Sequence, residues 1–257
     1  MRQSATEGLD GEPVFEEVSV APSDIPPTTA VFLSGVSDVG EGLRAVGTQL
    51  RMGRKGKPIR TLAVVSSVEG DGKTCVALGL AAAVAHTGQR VLLIDADLRR
   101  RDLCPALGVE PTLGLAEWLE RGRDVLPVRR VSPAGFSLLA AGVASCRPEL
   151  LGTPRFAQLL NTAERHFDLV ILDCAPLLPV ADTLALRDQV GGFLMVVRAR
   201  RSPREAISRA VALLGRSRVV GMVMNAYHRR VPTSRGYAYG YGSSYRYGPR
   251  YSHRPVP

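Results

Sequence analysis

The stretch SSVEGDGKT (residues 66–74) decides the fold of this chain of 257 residues. It follows the apolar run TLAVVSS (61–67), which is typical of a buried strand, and precedes CVALGLAAAVAHTG (75–88), which is typical of a helix. A glycine-rich turn between a strand and a helix is the setting that a P-loop requires. The stretch matches GxxxxGK[ST] with Ser67 at the first glycine position. The sequence therefore predicts a loop whose backbone N–H groups and helix N-terminus bind phosphate.

Two side chains of this loop have a predicted role of their own. Lys73 is expected to reach the β and γ phosphates of a nucleotide, and the Thr74 hydroxyl is expected to ligate Mg²⁺. The other candidate nucleotide-binding positions of the loop are Ser67, Gly70, Asp71, Gly72 and Cys75.

Carboxylates end two further apolar runs. RVLLIDAD (90–97) places Asp95 and Asp97 at the end of a predicted strand, and FDLVILD (167–173) does the same for Asp173. In an open parallel sheet the ligand crevice lies at the carboxyl ends of the strands, and Mg²⁺ takes oxygen ligands. Each aspartate alone could instead cap a helix. Three acids at strand ends beside a P-loop predict a Mg·nucleotide site.

The remaining pattern predicts an α/β fold. Continuous apolar runs without period-two alternation, separated by helical segments, are typical of a parallel sheet covered on both faces. We therefore expect a P-loop NTPase with a mostly parallel central sheet flanked by helices on both faces. Predicted strands are 61–67, 90–97, 136–142, 167–173, 191–198 and 218–226, and predicted helices are 39–52, 75–88, 114–120, 154–166, 180–189 and 203–215.

Composition divides the chain into three parts. Residues 1–34 are acidic and proline-rich and are expected to be disordered, residues 35–227 form the P-loop domain, and residues 228–257 form a flexible tail rich in Tyr, Arg and Gly. The net charge is +9, but residues 1–24 carry six acids and one Arg. A basic surface favours nucleic acid, anionic lipid or acidic partners.

The tail holds six tyrosines within fifteen positions, and residues 1–226 hold none. Residues 227–257 also carry six Arg and no acid. Two interpretations are open at this point. The tyrosines could stack on nucleic-acid bases while Arg holds phosphates, or they could be substrates for phosphorylation. They are Tyr237, Tyr239, Tyr241, Tyr245, Tyr247 and Tyr251.

Some classes of protein are disfavoured by the sequence. Residues 1–20 have no apolar core typical of a signal peptide, and the longest apolar stretch (76–85) is about half of a membrane span. We expect a soluble protein with no direct membrane span. The cysteines at positions 75, 104, 146 and 174 form no CxxC pair and are expected to be reduced thiols, mostly buried.

These motifs together resemble the bacterial protein-tyrosine kinases (BY-kinases) of capsule and exopolysaccharide synthesis. That family has a P-loop of the type SSxxGxGK[ST], an apolar run ending in DxDxR, a later apolar run ending in Asp, and a C-terminal tyrosine cluster. This chain shows SSVEGDGKT, VLLIDADLR, LVILD and the six tyrosines in that order. Residues 140–160 also resemble the segment between the family's second and third motifs. The resemblance covers roughly residues 35–257.

The resemblance implies a role for each candidate residue in an ATP- and Mg²⁺-dependent tyrosine kinase. Lys73 and Thr74 would hold phosphates and metal, Asp97 and Asp173 would hold Mg²⁺, and Asp95 would accept the phenol proton. Asn225 corresponds to a family position near the adenine. The six tail tyrosines would be the phosphoacceptors.

The resemblance also implies partners and a location. Such kinases work with a transmembrane activator, a polysaccharide co-polymerase, that is either fused or separate, and this chain would be the stand-alone type. We expect a cytoplasmic protein recruited to the inner membrane face, a cognate tyrosine phosphatase, and homo-oligomer formation. The expected role is regulation of polysaccharide assembly or export.

This chain departs from the family pattern at four places. Glu69 stands where Pro is frequent, Arg101 stands where DLRRP is usual, and DCAP (173–176) replaces DTPP. The oligomer-forming pattern ExxRxxR reads Glu41 to Gly47 here, so its second Arg is lost and ring assembly is in doubt.

Two other functions remain possible. A ParA/MinD-like partition ATPase with a nucleic-acid-binding tail would explain the basic charge. Its signature lysine five positions before the P-loop lysine is Val68 here, however, and it does not explain the tyrosines. A nucleotide-binding regulator without phosphotransfer is the third class, favoured only if Glu69 disturbs the P-loop.

Overall fold

A central sheet organises the part of the chain that the structure describes. The structure is a computed structural model that describes residues 14–20, 25, 27–33, 38–53, 56–121, 125–132, 134–144 and 147–226. The chain divides into two units, Met1–Tyr227 and His228–Pro257, and the second unit lies outside the described ranges.

The sheet of the described residues has eight strands in the order β1-β4-β5-β3-β6-β2-β7-β8. Neighbouring strands are parallel except for β4 and β5, which are antiparallel. Sequence-distant strands are therefore neighbours, as βαβ crossovers require. The strands are β1 Val14–Val20, β2 Thr61–Ser66, β3 Val91–Asp95, β4 Val125–Val131, β5 Phe136–Leu139, β6 Leu169–Asp173, β7 Gly192–Arg198 and β8 Val219–Asn225.

Helices follow most strands and return the chain to the sheet. The α-helices are α1 Pro27–Leu33, α2 Asp38–Met52, α3 Lys73–Ala85, α4 Leu103–Leu107, α5 Leu115–Arg121, α6 Pro154–His166 and α7 Arg204–Leu214. Short 3₁₀ helices occupy Pro148–Gly152, Asp182–Leu186 and Arg216–Arg218.

The sheet has a hydrophobic core on each face. Along β2, Leu62 and Val64 pack into the core that includes α2, α3 and α4, whereas Ala63 and Val65 pack into the core that includes α5, α6 and α7. Because both faces are covered, β2, β3 and β6 are buried along their whole length. The predicted α/β fold with a mostly parallel sheet between two helical layers is confirmed.

The helix after the P-loop, α3, lies in the interior of the domain. Most side chains of α3 are buried, because α3 packs on the sheet with one side and on α1 and α2 with the other. Its small residues allow these close approaches. The layer formed by α1 and α2 therefore fixes the helix whose first turn forms part of the phosphate-binding loop.

The structure differs from the sequence prediction in several elements. The helix predicted at 180–189 is wrong, because the segment forms only the 3₁₀ helix Asp182–Leu186. Hydrogen bonds to neighbouring segments hold it in that form: Thr183 donates to the Ala175 carbonyl at 2.8 Å, and Asp182 accepts from Arg99. The N-terminal segment expected to be disordered contains β1 and α1. The short α4 and the strand β4 were also not predicted. In β4 a proline and two arginines interrupt the apolar pattern of the sequence, although the strand itself is continuous.

None of the helices among the described residues has the length and apolar character needed to cross a membrane.

Gly47 lies at a close contact between α2 and α3. A Cβ built on Gly47 would lie 2.6 Å from Cγ2 of Val84, a buried and β-branched side chain of α3. By contrast, a Cβ at Gly42 of the same helix would meet no atom within 4 Å. The residue at position 47 therefore faces the interior of the domain, and the second arginine of the ExxRxxR pattern has no space there.

We expect the two glycines of α2 to respond in opposite ways to alanine. Gly42→Ala should raise the free energy of unfolding by about 1 kcal/mol, because Ala has the higher helix propensity. Gly47→Ala should lower it by about 1–3 kcal/mol, because Val84 cannot move away without disturbing the core. Urea denaturation of both variants measures the difference. A stabilised Gly47→Ala protein would contradict the tight α2–α3 contact.

Candidate nucleotide site at the carboxyl edge of the sheet

The P-loop connects the end of β2 to the start of α3. Gly70 and Gly72 both have left-handed backbone (φ 78° and 91°), and Gly72 is the residue before the first turn of α3. A Cβ at Gly72 would overlap the side-chain nitrogen of Asn225. Glycine at position 72 is therefore required twice, by the backbone conformation and by the packed neighbour.

Residues from β7, from β8 and from the turn after β7 form hydrogen bonds with the loop. The Asn225 side-chain nitrogen donates to the Asp71 carbonyl at 2.9 Å, and the Arg198 guanidinium donates to the Gly70 carbonyl at 2.9 Å. The Ser202 hydroxyl donates to Asp71 Oδ1 at 2.7 Å. The side chain of Asp71 is buried: its Oδ1 ties the loop to Ser202, whereas its Oδ2 has no hydrogen-bond partner among the described residues.

Sequence reasoning missed Arg198 and Ser202. These residues lie near position 200 in the chain and reach the P-loop only because β7 is the neighbour of β2 in the sheet. No motif spacing links them to the loop. The one available signal was the charged segment that follows the predicted strand 191–198.

The three predicted aspartates lie together beside Lys73. Asp95 and Asp173 are register partners on the adjacent strands β3 and β6, so their side chains leave the sheet on the same face. Asp95, Asp97 and Asp173 are all buried, as is Lys73. The structure therefore brings together the residues that the sequence placed at the carboxyl edge.

Burial and mutual repulsion change the acidity of these carboxyls. Burial raises the pKa of Asp173 to about 7, although a hydrogen bond from the Thr74 hydroxyl and the charge of Lys73 oppose the rise. Burial raises the pKa of Asp95 well above its usual value, and the charge of Asp173 adds to this increase. The pKa of Asp97 is raised by burial as well. The three carboxyls therefore hold their protons more tightly than exposed carboxyls do, and a bound cation would favour loss of those protons.

Unpaired oxygens show what such a cluster can bind. Within the described part of the chain, Asp95 Oδ1, Asp173 Oδ1 and Ser67 Oγ are buried and have no hydrogen-bond partner. Buried polar atoms without partners are rare in proteins and indicate a missing ligand, ion or water. These hard oxygens beside a phosphate-binding loop fit a Mg·nucleotide.

A metal at this position would need ligands from the nucleotide. Among the described residues, no group of three or more His, Cys, Asp or Glu side chains is placed to hold a metal ion by itself. Mg²⁺ commonly takes one or two protein oxygens and completes its shell with phosphate and water. The Thr74 hydroxyl and the carboxylates Asp97 and Asp173 are the residues that could contribute.

Three consecutive arginines after β3 each bind a different segment around the site. Arg99 makes two hydrogen bonds to Asp182, at 2.6 and 3.1 Å. Arg100 pairs with Glu69 of the P-loop at 3.3 Å, and Arg101 donates to carbonyl oxygens of residues 142 and 144. The exposed side chain of Glu69 is therefore paired with Arg100, which also binds Asp102 at 2.9 Å.

The remaining predicted residues have varied positions. Cys75 is half-buried, while Cys104 and Cys174 are buried free thiols. Cys146 and the six tail tyrosines lie outside the described residues. Asn225 lies at the P-loop, where both ends of its side chain are engaged, since its Oδ1 also accepts from the Ala226 N–H at 2.8 Å.

Comparison with known proteins first defines the class. Residues 62–235 match the family model described as the CobQ/CobB/MinD/ParA nucleotide binding domain. The match begins in β2 and includes the P-loop and all three aspartates. The class of nucleotide-binding domain therefore agrees with the site that the fold assembles.

The more similar relatives are kinases. The chain is 33% identical over 202 residues to the tyrosine-protein kinase etk of Escherichia coli K12, with 77% of this chain and 28% of etk covered. The structure of the kinase domain of that protein is 28% identical, with a TM-score of 0.73, and the match covers 93% of this chain and 100% of that domain. The BceF tyrosine kinase domain is 30% identical, with a TM-score of 0.64 and coverage of 75% and 81%. The chain belongs to the bacterial tyrosine-kinase (BY-kinase) family within this nucleotide-binding class.

A further relative belongs to polysaccharide synthesis. The succinoglycan biosynthesis transport protein ExoP of Rhizobium meliloti is 34% identical over 178 residues, with 66% of this chain and 22% of ExoP covered. The chain spans about a quarter of the length of etk and of ExoP.

The buried carboxyl of Asp173 should make stability depend on pH. Its pKa is about 7 in the folded protein and about 4 in an unfolded chain, so between these values the folded state binds the extra proton. The free energy of unfolding of the nucleotide-free protein should therefore fall as pH rises from about 4 to about 7, by roughly 4 kcal/mol at most. Asp173→Asn should reduce this slope, as measured by urea denaturation at several pH values.

Asp168, at the other end of the same segment, is the matched control. Its hydrogen bonds with Arg90 lower its pKa. Asp168 therefore stabilises the folded protein at pH values above its unfolded pKa, and this stabilisation is lost as pH falls. Asp168→Asn should leave the slope between pH 5 and 7 in place. An Asp173→Asn protein with the unmodified slope would contradict the assignment.

Proposed function

We propose that the protein is an ATP-dependent protein-tyrosine kinase that phosphorylates its own C-terminal tyrosine cluster. The observation that supports this most is the set of buried, partly unpaired carboxylates beside Lys73 and a P-loop. Mg·ATP, when bound, supplies the phosphoryl group and neutralises charge that develops during its transfer. The residues of this chain bind the nucleotide, orient the acceptor tyrosine and remove its proton.

The P-loop residues hold the phosphates. Lys73 is buried at the first turn of α3, where its ammonium group and the helix N-terminus both attract the β and γ phosphates. Thr74, Asp97 and Asp173 are the residues that would hold Mg²⁺ through their oxygen atoms. A hydrogen bond from the Thr74 hydroxyl to Asp173 holds these two side chains next to each other.

Asp95 is the base for the incoming phenol. It lines a cavity of ≈ 250 Å³ that opens beside β3 and β5, and its Oδ1 has no partner within the described residues. In the transfer, the phenol oxygen forms a bond to the γ phosphorus while the bond from that phosphorus to the bridging oxygen breaks. The phenolic proton passes to Asp95. A phenol of pKa about 10 needs such a positioned acceptor at neutral pH.

The tail can deliver its tyrosines over a useful distance. A linker of about 10 residues with the composition of a random coil has an r.m.s. reach of roughly 17 Å, and one of about 25 residues reaches roughly 28 Å. These lengths allow delivery to the same subunit or to a neighbour in a homo-oligomer. The loss of Arg at position 47 implies that any oligomer would use contacts other than those of the ExxRxxR pattern.

The cellular role proposed is regulation of polysaccharide assembly or export. The similarity to ExoP supports this role. The chain would act in the cytoplasm at the inner membrane face, with a transmembrane activator of the co-polymerase type and a tyrosine phosphatase that reverses the modification. Nucleic acid is not among the proposed partners, because the tyrosine cluster is accounted for as the substrate.

Replacing Lys73 tests the kinase assignment. Lys73→Met should lower phosphotyrosine formation by about 10²–10³-fold, because one preorganised contact to the transferring phosphate is lost. The measurement is incubation with Mg·ATP, followed by mass-spectrometric mapping of residues 235–251. Lys57→Met, at an exposed lysine, is the control and should act as the unmodified protein does. Phosphotyrosine at the unmodified rate in Lys73→Met would refute the site.

Nucleic-acid binding and ATP hydrolysis without phosphotyrosine in the unmodified protein would favour a partition ATPase.

A pair of substitutions separates proton transfer from metal binding. Asp95→Asn should reduce the rate of transfer while the affinity for Mg·ADP stays nearly the same. Asp173→Asn should instead raise the Mg²⁺ concentration required for nucleotide binding. Titration calorimetry at several Mg²⁺ concentrations, together with single-turnover transfer, measures both effects. An identical Mg²⁺ dependence in the two variants would contradict the division of roles.

A further inference from the structure

The cavity at Asp95 has a wall made by residues far from it in sequence. Its lining includes Asp95, Arg101, Cys104, Ala140, Gly142 and Val143. Asp95 is fixed at its own end, because its Oδ2 accepts from the N–H of Leu103 at 3.3 Å. Gly142 and Val143 form another wall of the cavity; they belong to the segment Gly142–Ala144, which follows β5 and lies in no helix or strand. Such a segment keeps its position only through specific contacts.

Arg101 binds this wall from the side of β3. Its Nη1 donates to the Gly142 carbonyl at 3.2 Å, and its Nη2 donates to the Ala144 carbonyl at 2.7 Å. Its Nε also donates to the Leu98 carbonyl at 3.0 Å, so the guanidinium links two segments. The planar fork of arginine allows three such bonds at once, which lysine cannot make.

The backbone of Arg101 is unusual as well. Its φ is 58°, in the left-handed region that non-glycine residues rarely adopt. Proline, with φ fixed near −65°, cannot take this conformation. The chain therefore maintains an unfavourable backbone conformation where the side chain makes its three bonds.

Glu117 binds the same wall from the side of α5. Its Oε1 accepts from the N–H groups of Val143 at 2.9 Å and Ala144 at 2.6 Å, and its Oε2 accepts from the Gly114 N–H at 2.8 Å. Glu117 is buried, and a Cβ at Gly142 would overlap its carboxylate. The wall thus has its carbonyl groups bound by Arg101 and its N–H groups bound by Glu117.

We propose that Arg101 and Glu117 are positioning residues for tyrosine transfer, which fix the Gly142–Ala144 segment so that the acceptor side chain is held in the cavity against Asp95. This inference rests on the kinase function proposed above. Neither residue contacts the P-loop in the described structure, so their effect falls on the acceptor and not on the nucleotide. A displacement of the wall by about 1 Å is enough to lower transfer by about 10²-fold.

The test uses the full chain with Arg101→Gly, which removes the guanidinium and tolerates the left-handed backbone. We expect phosphotyrosine formation at saturating Mg·ATP to fall about 10–100-fold, while the affinity for Mg·ADP and the rate of ATP hydrolysis to water change less than about twofold. Arg101→Lys should restore only part of the transfer rate. Glu117→Gln should reproduce the loss, and the double variant should be little worse than either single one, because both act on one segment.

Arg90→Gly is the matched control, because Arg90 also makes several hydrogen bonds, to Asp168 at the amino end of β3. It should leave transfer unchanged, and thermal unfolding shows whether each variant is folded. Transfer at the unmodified rate in Arg101→Gly would overturn the inference, as would an equal loss of transfer and nucleotide affinity. If the unmodified protein forms no phosphotyrosine, the proposed kinase function is wrong and the inference fails with it.

Discussion

The burial of negative charge at the ends of two adjacent strands is the constraint on which this site depends. The register of β3 and β6 places Asp95 beside Asp173, and Asp97 follows two residues later, so three carboxyls share one buried lysine. Burying such groups is costly unless they are protonated or paired. The hydrophobic cores on both faces of the sheet supply the stability that tolerates this arrangement. The cost becomes useful when a cation arrives, because the ligands are already assembled.

The sheet order explains how the phosphate-binding loop keeps its shape. β7 lies next to β2, and β8 lies next to β7. Arg198 and Asn225 can therefore donate to carbonyl groups of the loop, although they lie more than 120 positions away from it in the sequence. Their bonds satisfy the backbone oxygens on the outer side of the loop. The N–H groups of the loop then remain available on the inner side, where a phosphate would lie.

The parts of the molecule that the sequence predicted correctly are those determined by short segments. The strand, the glycine turn and the helix around Lys73 form one continuous stretch, and each aspartate ends an apolar run, so local pattern was sufficient. Arg198, Ser202 and Glu117 were not predicted, because their roles arise from contacts between distant segments. The 3₁₀ helix Asp182–Leu186 was mistaken for a longer helix for the same reason, since Arg99 holds it from the turn after β3. β1, at the edge of the sheet, and its neighbour β4 lack the continuous apolar runs of the interior strands. Strands near a sheet edge need not be buried on both faces.

The three arginines that follow β3 differ in how salt affects them. Arg100 and Glu69 are both exposed, so ions of the solvent weaken their pairing, whereas the carboxylate of Asp182 is buried and its pairing with Arg99 is screened less. Arg101 binds neutral carbonyl oxygens, whose hydrogen bonds depend little on ionic strength. Rising ionic strength would therefore weaken the contact between Arg100 and the P-loop first, and the wall of the cavity at Asp95 last. One short arginine segment thus gives the two halves of the site different sensitivities to the salt around the molecule.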